Sequence, residues 1–127
     1  MLYRVHARKS LPEVARALEA AAQKHKFGIL GVHDLKERMK EKGVEFEREC
    51  QIFEVCNPQQ AKKVLEKNAE ISTALPCRIS VYSDGDGVTL ATLRPTVLLE
   101  MFQTPGLKPV AEEVEKTILA MMEEAAG

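Results

Sequence analysis

Apolar and polar positions alternate in two periods along this chain. Leu2 to Ala7 puts Leu2, Arg4 and His6 on one face and Tyr3, Val5 and Ala7 on the other, the period of a strand. The next apolar set, Leu11, Val14, Ala15, Leu18, Ala21 and Ala22, recurs at helical spacing. Ser10-Leu11-Pro12-Glu13 before it has the form of a capping box. Gly28 to His33 reads as a buried strand whose glycines allow close backbone approach. Asp34 caps a short, exposed helix that Gly43 stops.

Glu45 to Val55 is the next expected strand. Phe46, Cys50 and Ile52 share one parity, whereas Phe53 and Val55 take the other. Either a bulge intervenes or both faces are covered. Asn57-Pro58-Gln59-Gln60 opens a third helix, with Asn at the cap, Pro at the first helical position and Gln three after the cap. After Pro76, Cys77–Ser83 and Val88–Leu93 form a hairpin across Asp84-Gly85-Asp86-Gly87. A short helix from Pro95 and a terminal helix from Pro109 complete the order, the latter striped by Val110, Val114, Ile118, Met121, Met122 and Ala125. The expected class is α+β: a largely antiparallel sheet with helices packed on one face.

The chain has 127 residues, which fits one domain over residues 1–127. Its apolar content, 45%, is enough for a core of its own and rules out low-complexity disorder. Basic and acidic residues number 18 and 19, so no basic excess exists with which to hold nucleic acid by bulk charge. No apolar run reaches the roughly 20 residues that span a bilayer, and none has the form of a secretory leader. Three cysteines do not make a secreted disulfide framework. A cytoplasmic protein, with no membrane or nucleic-acid partner, is the expectation.

The cysteines carry the candidate chemistry. Cys56 precedes the Asn57 cap, where the positive helix end would favour thiolate over thiol. Cys77 follows a proline that fixes the start of its strand. If the third helix connects neighbouring strands, Cys56 and Cys77 flank it and could meet to hold a ligand or a soft metal, or to exchange electrons or sulfur. Buried thiols more often act as small hydrophobes. Cys50 cannot join Cys56 along a straight strand, because six residues span about 20 Å. His33, beside Asp34, is a candidate ligand-binding or acid–base group. Its plainer role is that of a strand end followed by a cap. Glu45, Glu47 and Glu49 would project from one strand face, as a hard-cation site or, more simply, as a solvated surface. Neither a phosphate loop nor an H-E-x-x-H or C-x-x-C pattern occurs.

Phe27-Gly28-Ile29-Leu30 leading to Asp34, Cys56-Asn57-Pro58 followed by Ala61 and Leu65, and Leu75-Pro76-Cys77 together resemble a bacterial and archaeal family of uncharacterised proteins, domain of unknown function number three hundred and two. The resemblance runs from about Tyr3 to Phe102. It implies a β-α-β(4)-α fold of the TATA-binding-protein-like class and no settled activity, with an association to sulfur and thiol biology. The motif residues are Cys56, Asn57, Pro58, Pro76 and Cys77. The function expected is that of a small homodimeric binding protein with a thiol-lined site for a small molecule or soft metal at Cys56 and Cys77. The alternatives are an interaction module with packed cysteines, and a cysteine-dependent enzyme with His33 or His6 as proton partner. The segment Val97–Phe102 is the expected dimer contact.

Overall fold

The computed structural model describes residues 1–127. Five strands, β1 (Leu2–Ala7), β2 (Gly28–Asp34), β3 (Cys50–Cys56), β4 (Cys77–Asp84) and β5 (Gly87–Leu93), form one sheet in the order β1-β5-β4-β3-β2. Every neighbouring pair is antiparallel. The helices are α1 (Leu11–Lys24), α2 (Leu35–Glu41), α3 (Pro58–Lys67), α4 (Pro95–Glu100) and α5 (Lys108–Ala126), with a 3₁₀ turn at Ala69–Ala74. The class and element order are those expected from the sequence.

Local chemistry sets most element starts. Ser10 Oγ accepts from the Glu13 amide at 3.3 Å while Glu13 Oε1 accepts from the Ser10 amide at 3.2 Å. This is the reciprocal pair predicted for α1. Asp34 caps α2 through the Glu37 amide at 3.0 Å. Between β4 and β5, Asp84 pairs with Gly87, and of the two turn residues only Gly85 has positive φ, at 61°. That pattern suits a tight hairpin with glycine first.

One face of the sheet is covered by α1 and α5. Leu11, Val14 and Leu18 from α1 and Ile118, Met121 and Met122 from α5 pack with Phe53, Val55, Ile79, Val81 and Leu90. A second, smaller cluster gathers Val64, Ile71, Leu99, Leu107, Val110 and Ala111, from α3, the 3₁₀ turn, α4 and the start of α5. Val114 touches both clusters. On the other face, register aligns His33, Ile52, Ser80, Ala91 and Arg4 in one row across all five strands.

Two expectations are corrected. First, β2 is not buried. It pairs with β3 alone, at the sheet edge, and leaves Leu30 63% and Val32 43% exposed. Nor do its glycines mark a close backbone approach: a Cβ on Gly31 would meet the Glu54 carboxylate at 3.1 Å, and one on Gly28 would lie an ordinary 3.9 Å from the Cys56 carbonyl oxygen. The pairing shifts between Ile29 and Gly31, so the irregularity lies in β2 and not in β3. Second, β3 begins at Cys50, not Glu45. Beyond Cys50 the chain has little to pair with: β2 has ended at Asp34 opposite Gln51, and Glu49 keeps only two bonds to Ser83. Glu45, Glu47 and Glu49 therefore lie outside any strand, all exposed. The change of parity is resolved simply: Phe53 and Val55 enter the core, and Cys50 and Ile52 face away.

Candidate functional site: an apolar cavity flanked by two thiols

The two apolar clusters do not merge completely. A hollow of about 40 Å³ that opens to solvent remains at their seam. Of its 14 lining residues 11 are hydrophobic, among them Val55, Ala61, Val64, Leu75 and Leu99. Its inner part is small, so an occupant must be compact. The polar side chains at the wall are Asn57 and Gln60.

Cys56 and Cys77 both line this space. The register explains how. Val55 lies opposite Cys77, so the last residue of β3 and the first of β4 meet at one end of the sheet, where the chain leaves for α3 and returns from the 3₁₀ turn. Neither is in a disulfide. Burial pushes the Cys77 thiol up to about 11, with a smaller push from the neighbouring Cys56. Burial also raises Cys56 above its ordinary value. Both groups are therefore protonated at neutral pH.

The expectation that the α3 N-terminus would acidify Cys56 is overturned by the cap itself. Asn57 Oδ1 accepts from the amides of Gln59 at 3.0 Å and Gln60 at 3.2 Å. These are the donors a thiolate would have used. With them taken, desolvation decides the direction.

His33 does not join the cavity. It stands opposite Ile52 on the face away from the helices, with Nε2 3.1 Å from Glu54 Oε1. The Arg78 Nε, at 3.8 Å from Glu54 Oε2, completes that surface cluster. His6, the other expected proton partner, pairs with Thr89 at the far end of the sheet and lies 2.8 Å from Asp86 Oδ1. No histidine lines the hollow. The thiols thus lack the adjacent base that nucleophilic catalysis requires. No group of three or more His, Cys, Asp or Glu side chains is placed to hold a metal ion.

Gln60 is the residue that sequence reading assigned elsewhere. At three positions past the cap it was expected to bond back to Asn57. Its backbone amide is held by Asn57, but its side chain makes no such return and stands at the cavity wall. Its Oε1 is shielded from solvent and no protein group donates to it.

A second hollow, a groove of about 520 Å³, lies beside the first and runs onto the uncovered sheet face past Leu2, Ile52, Arg78 and Met101. Ala74, Cys77 and Leu98 line both spaces. No helix of the chain is long and apolar enough to cross a membrane.

No curated protein matches the chain. A crystal structure of an uncharacterized conserved protein DUF302 from Bacillus stearothermophilus superposes with a TM-score of 0.92 and 32% identity, covering 98% of this chain and 97% of that one. The sequence matches the family "Domain of unknown function DUF302" over residues 3–125. With agreement in both sequence and architecture over nearly its whole length, the chain belongs to the DUF302 family.

Proposed function

We propose that this protein is a small binding domain whose ligand is a compact, largely apolar molecule held in the cavity beside Cys56 and Cys77. The observation that carries this reading is the hollow itself, an opening into apolar lining at the seam of two well-packed clusters. Packed interiors leave few voids, and apolar ones stay dry and accept apolar guests. The protonated thiols favour this over a soft-metal site, because metal capture needs both protons displaced and offers only two sulfur ligands. They disfavour a thiolate enzyme for the same reason. Three unpaired cysteines suit a reducing, cytoplasmic setting.

Xenon under pressure is a suitable probe, compact enough for an apolar space of about 40 Å³. It is expected to raise the midpoint of thermal unfolding of the native chain in a concentration-dependent way and to shift amide resonances of Val55, Ala61 and Val64. Ala61→Leu, which fills the space, should abolish both responses. Absence of any response in the native chain would overturn the reading. Zinc and copper(I) in parallel equilibrium dialysis, with the Cys56→Ser/Cys77→Ser variant as control, distinguish the metal site: thiol-dependent uptake would favour it instead.

We also infer that two copies associate through the uncovered sheet face. Leu2, Leu93 and Met101 are 45%, 43% and 65% exposed there, and all three line the groove together with Phe102. Apolar exposure concentrated in one patch marks an interaction surface more often than the same residues scattered singly.

A further inference from the structure

We propose that the groove on the uncovered sheet face is a second binding site, and that its ligand is an apolar molecule ending in one carboxylate, which the Arg78 guanidinium and the Ser80 hydroxyl hold. This depends neither on the hollow at Cys56 and Cys77 nor on the association of two copies.

The groove has the size and make-up of a small-molecule site. Its volume of about 520 Å³ falls within the roughly 300–1,000 Å³ that such sites occupy. Nine of its 14 lining residues are hydrophobic, among them Leu2, Leu93, Leu98, Met101 and Phe102. One chain supplies all of them, so a second copy laid over the face would roof the groove and is not needed to build it. The hydroxyl and charged side chains at its wall are Thr73, Arg78, Ser80 and Thr92. Two of these are spent. Thr73 Oγ1 donates to the Glu70 carbonyl at 2.8 Å, and Thr92 Oγ1 to the Arg78 carbonyl at 2.7 Å.

Arg78 and Ser80 are open. Arg78 Nε stands 3.8 Å from Glu54 Oε2, too far for a hydrogen bond, while His33 meets the other Glu54 oxygen at 3.1 Å. Ser80 lies two residues along β4 from Arg78, so both side chains leave the same face. Its neighbours across the sheet are Ile52 and Ala91, neither of which offers a polar side chain. Arg4, next to Ala91 in the same row, adds a second positive charge to this face. A planar guanidinium matches the two oxygens of a carboxylate. One such fork and one hydroxyl suit a singly charged group better than a phosphate monoester, whose second charge would meet Glu54.

Octanoate and octanol share a tail and differ in the head group, so together they test the assignment. Titrated amide shifts of the native chain should place both probes at Ser80, Ala91 and Leu98. Arg78→Gln should weaken octanoate about fivefold and leave octanol unchanged. The Arg78 side chain is 65% exposed, so its replacement leaves the packing intact. Raising the salt concentration should weaken octanoate, and not octanol, on the native chain. Octanoate affinity that ignores both Arg78→Gln and salt would overturn the carboxylate assignment. Failure of both probes to bind, or shifts confined to Val55, Ala61 and Val64 around the other hollow, would overturn the groove as a site.

Discussion

At the scale of single residues, the two cysteines and their neighbours show how little the identity of a side chain says without its surroundings. Cys56 sits one position before a helix cap, a place that acidifies thiols when the amides are free. Asn57 takes those amides, and burial then pushes the sulfur the other way. For Cys77 the push reaches about 11 against an ordinary 9.0. At pH 8 the thiolate fraction, and hence iodoacetamide labelling of Cys77, should fall about a hundredfold below that of a free thiol. Labelling at the unperturbed rate would show that the sulfur is not desolvated. The same shift affects folding. A folded-state value raised above the unfolded one leaves stability untouched below about pH 9 and removes it as pH climbs from about 9 to about 11. Denaturant midpoints of the native chain should therefore drop across that window more steeply than those of Cys77→Ala.

At the scale of elements, what could be read in advance was what is decided locally. The Ser10–Glu13 and Asn57 caps, the Gly85 turn and the stripe of α5 each depend on residues within a few positions of one another, and each is in place. Strand order and strand ends depend on distant partners. Nothing in Gly28–His33 reveals that β2 will pair on one side only, and nothing in Glu45–Glu49 reveals that no strand will lie beside it. The side chain of Gln60 belongs with these: its sequence position licenses a cap bond, and only the packing of α3 against the sheet end offers it another place. One element-level contact is severe enough to test alone. A Cβ on Gly87 would lie 1.9 Å from the Ala7 carbonyl oxygen, a backbone atom. Gly87→Ala should push the end of β1 off the β5 hairpin. The expected cost is about 2–3 kcal/mol, read in urea unfolding, with amide exchange accelerated first at Val5 and Ala7. A variant as stable as the native chain would show that β1 yields without loss.

At the scale of the whole molecule, the protein is a sheet with one face under helices and one face bare. The bare face supports the inferred dimer. Sedimentation should give the native chain twice its monomer mass and Met101→Lys the monomer mass. A native monomer at tens of micromolar would dispose of it. The helical side is held by two apolar clusters joined through Val114, and the cavity exists because they join incompletely. Ala74, Cys77 and Leu98 stand between that cavity and the open groove. The partition thus includes these three side chains, of which Leu98 is the largest. Shortening Leu98 to alanine would breach it and turn a dead-end chamber into a through-passage, wet from both mouths, in which a greasy guest loses its reason to stay.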